Sequence, residues 1–266
     1  MMDDKVLDIA NPTEEHVMLR ELVREWAGSN LEPTANYHDK NEVWNIEAFR
    51  ELGEMGLLGV TADIEFGGSG LDSTAATIVH EELSAVDPGF CLAYLAHSML
   101  FVNNLAMNGN TEQKSRILPK VCSGEWVGCM AMSEPDFGTD VLGIESTAIE
   151  QENGTWLLNG RKMWITNGTL DDNNTPADVV WVYAKTKDDA GKVKLSTFIV
   201  EEGMSGYSVG QKIYDKTGMR ASNTAELVFD DCILPASSLV GKPGDSLSHM
   251  MKNLEIERLT LAAMSL

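Results

Sequence analysis

One glutamate sits where a charge is out of place. Leu247, Met250, Leu254, Glu257, Leu261 and Met264 recur at spacings of 3, 4, 3, 4 and 3, which is one stripe of a helix. Glu257 interrupts that stripe, whereas Glu255 lies two residues away and well off it. A carboxylate pressed among apolar groups gains a raised pKa and becomes a candidate base. The alternative is a structural glutamate paired with Arg258. A second cluster is Met130-Ala131-Met132-Ser133-Glu134-Pro135-Asp136-Phe137-Gly138-Thr139-Asp140. It reads as a strand ending at Ser133, then a turn. The hydroxyls of Ser133 and Thr139, with backbone N–H groups between them, suit carbonyl or phosphate oxygens, although Pro, Asp and Gly also mark turns by themselves. In Lys162-Met163-Trp164-Ile165-Thr166-Asn167-Gly168, Trp164 and Thr166 stand one strand step apart and are expected on one face. An aromatic plane beside a hydroxyl suits a flat heteroaromatic ligand; a core tryptophan is the other reading.

The elements that must position these residues fall into three parts, residues 1–125, 126–238 and 239–266. The first reads as helical. Thr13 caps a helix whose first turn holds Glu14 and Glu15, followed by Leu19, Leu22, Val23 and Trp26. Ile46 to Met55 and Ser73 to Leu83 carry further helical patterns. Phe90 to Met107, apolar nearly all round, reads as a buried central helix, and Thr111 as the cap of one more. From Trp126 to about Pro235 short β-rich runs alternate with turns: Trp126–Met132, Thr155–Leu158, Val179–Tyr183, Thr197–Val200 and Ala225–Phe229. Asn153-Gly154 and Asn159-Gly160 are both turn signals. The reading is an α+β chain: an N-terminal helical domain, a middle β-barrel or sandwich, and the start of a second helical domain. The final stripe is still running at Leu266, so that domain is read as truncated, and the five apolar side chains of the stripe as lacking a partner surface.

Composition narrows the partners. Lys and Arg number 20 against 41 Asp and Glu, a formal net charge of −21, so nucleic acid and anionic membrane surfaces are disfavoured. Cys91, Cys122, Cys129 and Cys232 form no CxxC pair, which argues against zinc and fits reduced thiols in a cytoplasmic setting. Met1 to Glu15 is acidic and shows no targeting pattern. The apolar run Phe90 to Val102 is short for a membrane span.

Taken together, the motifs resemble the acyl-CoA dehydrogenase family. Ala131-Met132-Ser133-Glu134 with Gly138-Thr139-Asp140 is similar to its first signature, and Trp164-Ile165-Thr166 to its flavin-contacting strand. Met219-Arg220-Ala221-Ser222-Asn223-Thr224 and Phe229-Asp230-Asp231-Cys232 are similar to later motifs, in the same order. Leu254-Glu255-Ile256-Glu257-Arg258-Leu259 resembles the branch acting on short branched-chain thioesters such as isovaleryl-CoA, in leucine catabolism, where the base precedes an Arg on the helix after the β domain. The resemblance implies FAD, with Met130, Ala131, Met132, Ser133, Gly138, Thr139, Trp164, Ile165 and Thr166 at the cofactor. It implies Glu257 as catalytic base, and Thr139, Ser248, Glu255, Ile256, Glu257 and Arg258 at the acyl-CoA. Thr166 is expected near flavin N5, Ser133 at the pyrimidine edge, and residues 138–139 at the pyrophosphate. Lys185, Lys187, Lys192 and Lys194 form a loop suited to CoA phosphates or to solvent. Ser248 falls where that branch has a tyrosine, and Phe137 where the family has a small residue. Also implied are an electron-transferring flavoprotein as acceptor, a homotetramer, and the mitochondrial matrix if the source is eukaryotic. An acyl-CoA oxidase, another flavoenzyme of the same fold and an inactive fragment are the rival readings.

Overall fold

A computed structural model describes residues 8, 10–188 and 190–266. The acidic N-terminal stretch read for targeting therefore lies largely outside the described residues, as does Asp189 of the lysine loop. Helix α1 (Glu14–Asn30) starts as its sequence dictates: the Thr13 hydroxyl accepts from the His16 N–H. Its inward face is His16, Val23 and Ala27, flanked by Leu19 and Trp26, while Leu22 faces out. Then come α2 (Glu32–Asn41), α3 (Ile46–Glu54) and α4 (Ser73–Ser84), the last two capped by Asn45 and Asp72. The central apolar segment is α5 (Pro88–His97), a π-helical turn at Ser98–Val102, and α6 (Asn103–Asn108). Spanning Pro88–Asn108, it is long and apolar enough to cross a membrane by length and composition, but its side chains are mostly buried inside the molecule. Helix α7 (Thr111–Cys122) is capped by Asn110, not Thr111, through a capping box with Gln113.

The middle part forms one eight-stranded mixed sheet: β1 (Gly128–Ala131), β2 (Thr147–Glu150), β3 (Trp156–Thr166), β4 (Val179–Lys187), β5 (Val193–Glu201), β6 (Tyr207–Lys212), β7 (Thr224–Leu234) and β8 (Leu239–Val240). The order is β6-β7-β3-β2-β4-β5-β8, with β1 parallel to β4. Strand β8 still pairs with β5, so the sheet reaches past the expected boundary at residue 238. Asn153-Gly154 makes the expected turn, Gly154 at φ 80°. Asn159-Gly160 does not turn. It lies inside β3 at a bulge opposite β7, and a Cβ on Gly160 would fall within 2.9 Å of the Ser146 Cα.

Strand alternation explains how this sheet joins the helices. On β4, Val180, Val182 and Ala184 enter the core between the two halves of the sheet, where Trp156 of β3 packs against Phe198 of β5 at 5.2 Å. Val179, Trp181 and Tyr183 point the other way, onto Phe101, Val102, Leu105, Ile117 and Leu118. β4 is therefore buried on both faces. His97 fastens the junction: the Gly128 N–H donates to its Nδ1 at 3.0 Å, which leaves Nε2–H to donate to the Val121 carbonyl at 2.9 Å. Burial lowers its pKa from 6.5 to about 4. A histidine whose folded pKa is depressed contributes stability that is complete above 6.5 and lost as pH falls toward 4. Urea denaturation at pH 7 and at pH 4.5 is expected to show a smaller acid loss for His97→Gln than for the parent; equal losses would mean that His97 is charged in the fold.

The last helix, α8 (Ser246–Met264), buries Ser246, Met250, Asn253, Thr260, Ala263 and Met264. That corrects the expected stripe. Met250 and Met264 are buried and Leu254 is half-buried, whereas Leu247 and Leu261 are 47% and 42% exposed. The inward face is rotated because small and polar residues, not leucines, meet α4 and the π-helical turn. At its end Ser84 Oγ donates to the Met264 carbonyl. The helix thus finds a partner surface within the chain.

Candidate active site

The ends of β1 and β3 and the middle of α8 converge on one cleft of about 280 Å³. It is lined by Ala96 and Leu100 from the central helical segment, Met130, Met132 and Ser133, then Trp164, Ile165 and Thr166, and finally Leu254 and Glu257. Residues more than 120 positions apart in sequence therefore meet, and seven of those singled out from sequence are among them.

The Trp164 side of the cleft is built by a departure from regular strand geometry. Trp164 has φ 67°, in the left-handed region, and the pairing of β3 with β7 shifts register between Lys162 and Ile165. Trp164 and Thr166 both border the cleft, but simple alternation does not put them there, since the intervening Ile165 borders it as well. The indole is 61% exposed. A left-handed bulky residue costs energy, and such strain persists where function uses it.

Beneath Ser133 is an ion pair that sequence reasoning assigned no role. Lys162 Nζ lies 2.8 Å from Glu134 Oε1 and donates to the Met132 carbonyl at 3.1 Å. The lysine side chain is 0% exposed. Glu134 also accepts from the backbone N–H groups of Glu145 and Ser146. Burial by itself would raise the Glu134 carboxyl. The two N–H groups and the ammonium outweigh it, so it sits below its ordinary value. Burial pushes Lys162 down to about 8, against the pull of Glu134. The Met163 N–H donates to the Ser133 carbonyl at 2.9 Å, so both carbonyls flanking the serine nitrogen and Cα are held.

Glu257 is half-buried, and burial raises its pKa; Arg258 and a hydrogen bond from Asn253 offset part of the rise. Tyr183, buried in β4, is close enough for the carboxylate to add to the upward push that burial gives its phenol.

Other expected residues lie elsewhere. Ala131 faces the β core, because the residue between two cleft-facing methionines on a strand must point the opposite way. Gly138 and Thr139 sit in an exposed loop and do not line the cleft. Ser248 is exposed on α8, about two and a half turns before Glu257 and so on the opposite face. Ile256 packs against the helical core, and Glu255 and Arg258 border a different cleft, with Met107, Met251 and Lys252. Of the loop lysines, Lys185 and Lys194 flank a third cleft of about 270 Å³ together with Leu142, Leu195, Gly244 and Leu247. Lys187 and Lys192 are exposed.

With hydroxyls, an exposed indole and a carboxylate on one apolar cleft, the donor set fits a flat heteroaromatic cofactor rather than a metal ion. Comparison with known proteins agrees. Residues 13–125 match the acyl-CoA dehydrogenase N-terminal domain and residues 129–232 the acyl-CoA dehydrogenase middle domain, so the chain belongs to the acyl-CoA dehydrogenase family. Among its relatives is the mitochondrial isovaleryl-CoA dehydrogenase of Pongo abelii, 43% identical over 94% of this chain and 58% of the relative. The chain thus spans a little under three fifths of that relative's length. The butyryl-CoA dehydrogenase structure from Megasphaera elsdenii superposes with a TM-score of 0.87 at 31% identity, covering 95% of this chain and 65% of that one. An acyl-CoA dehydrogenase from Bacillus anthracis, solved with FAD, does so at 0.84 and 31%, covering 95% and 42%.

Proposed function

We propose that this chain forms the flavin and base side of an enzyme that removes the α and β hydrogens of a short branched-chain acyl-CoA thioester. The observation that carries the reading is the meeting of Glu257, Ser133, Trp164 and Thr166 on one cleft. FAD, when bound, supplies the acceptor for the two electrons and the β hydrogen. The protein's own part is to take the α-proton on the Glu257 carboxylate and to exclude water with Leu100, Met130, Met132 and Leu254. A base in apolar surroundings has the raised proton affinity this task needs. The Ser133 and Thr166 hydroxyls would hydrogen-bond the flavin, and the Trp164 indole would flank it. Lys185 and Lys194, beside a neighbouring cleft, would meet CoA phosphates. The relative from Pongo abelii supports an isovaleryl-like acyl group. Family resemblance supports an electron-transferring flavoprotein as acceptor and a homotetramer, to which the exposed Leu247, Met251, Leu259 and Leu261 of α8 would lend apolar surface.

The test is anaerobic addition of isovaleryl-CoA to FAD-loaded protein. Bleaching of the oxidised flavin band, with slow reoxidation by O₂, is expected. A flavin that stays oxidised would overturn the reading, and rapid reoxidation would make the protein an oxidase. Thr166→Val tests the flavin face separately. Loss of one hydrogen bond of about 0.5–1.5 kcal/mol should weaken FAD binding by roughly 2- to 10-fold and shift the flavin spectrum, with circular dichroism unaltered. An unchanged spectrum and affinity would remove Thr166 from the flavin.

A further inference from the structure

The polar side chains behind Glu257 form a directed line through the helical core. Thr61, in the turn after α3, donates from Oγ1 to Asn103 Oδ1 at 2.7 Å. Asn103 donates from Nδ2 to Asn253 Oδ1 at 2.7 Å, and Asn253 from Nδ2 to Glu257 Oε2 at 3.5 Å. Asn103 and Asn253 are 4% and 2% exposed. Burying a carboxamide is unfavourable unless its hydrogen bonds are made, so an apolar residue would be the cheaper filling at either position. Direction follows from the acceptor-only end. The ionised Glu257 carboxylate takes only donors, so Asn253 turns its NH₂ toward it; the Asn253 oxygen is left to accept from the Asn103 NH₂, and the Asn103 oxygen to accept from the Thr61 hydroxyl. A flip of either amide would set oxygen against oxygen.

We propose that Asn253, oriented by Asn103 and Thr61, is a positioning residue that holds the Glu257 carboxylate toward the cleft and stabilises its charged form. The function of that hold rests on Glu257 being the base. The other charged or titratable groups near the carboxylate are Arg258 on the same helix and Tyr183 from β4, while Lys252 and Glu255 border the cleft on the other side of α8.

The experiment is a ¹³C NMR titration of glutamate carboxyls in the 266-residue chain, the Glu257 signal assigned by its loss in Glu257→Gln. Asn253→Ala is expected to raise the Glu257 pKa by about one pH unit, the scale of one lost hydrogen bond to a charged group. Asn103→Leu should raise it less, by freeing Asn253 to turn, and Asn253→Asp should raise it more. Asn103→Leu and Asn253→Asp keep the question decidable if Asn253→Ala does not fold. A Glu257 titration unmoved in the folded variants would overturn the proposal. A shifted titration in a protein whose flavin reduction ignores Glu257→Gln would uphold the hold on the carboxylate and move the base elsewhere.

Discussion

Glu257→Gln is expected to lower the rate of flavin reduction by an acyl-CoA thioester at least about 10²-fold, the low end for losing a general base, while FAD and thioester still bind. Glutamine has the same shape and still accepts from Asn253, but it takes no proton. Loss of fold is separable from loss of chemistry by a sign argument. Burial raises the folded pKa of Glu257 above its ordinary 4.5, so between those values the unfolded chain binds fewer protons, and the charged carboxylate counts against folding at neutral pH. The glutamine variant should therefore be at least as stable as the parent in urea at pH 7. In the parent, flavin reduction should rise with pH through the raised pKa of Glu257, as the carboxylate forms. Near-normal reduction by a stable Gln variant would place the base at another residue.

How much of this was legible in sequence depends on what each residue's neighbours are. Helices with an apolar stripe, such as α3 and α4, announce themselves by periodicity. Helix α2 was not seen because it buries no residue and so carries no stripe. β2 and β6 were missed for a related reason: each is short and mostly exposed, so neither carries an alternating apolar pattern. Glu257 was found because a charge in an apolar stripe is a contradiction that only burial or function resolves. The stripe itself was misplaced, since the inward face of α8 is built of Ser246, Asn253, Thr260 and Ala263 as much as of methionine. The bulge that presents Trp164 leaves no mark in residue types. Lys162 and Glu134 did leave one, a lysine in a strand and a glutamate just past the end of another, but pairing them needs the approach of β1 to β3 that only the fold supplies.

That pair sets the second large expectation. Lys162→Met should destabilise the chain by about 3–5 kcal/mol, the usual cost of removing one partner of a buried ion pair. The Glu134 carboxylate would keep its two backbone donors but lose its counter-ion, and the Met132 carbonyl would lose the donor that Lys162 supplies. The intact pair need not stabilise much, because burial works against the ammonium: Lys162 titrates at about 8 in the fold against an ordinary 10.5. With the folded value below the unfolded one, the unfolded chain binds more protons between those pH values, so the parent should gain stability from pH 8 to 10.5 and Lys162→Met should not. What the pair does supply is place. It ties the turn from Ser133 to Ser146 onto β3 one residue before the bulge that presents Trp164, so the two sides of the cleft are set by a common anchor. Lys162→Met/Glu134→Gln removes both charges while leaving an acceptor for the Glu145 and Ser146 N–H groups. It should recover part of the lost stability, and FAD affinity should follow stability across the three proteins. Equal urea midpoints for Lys162→Met and the parent would show that Glu134 is satisfied by backbone alone and that the lysine anchors nothing.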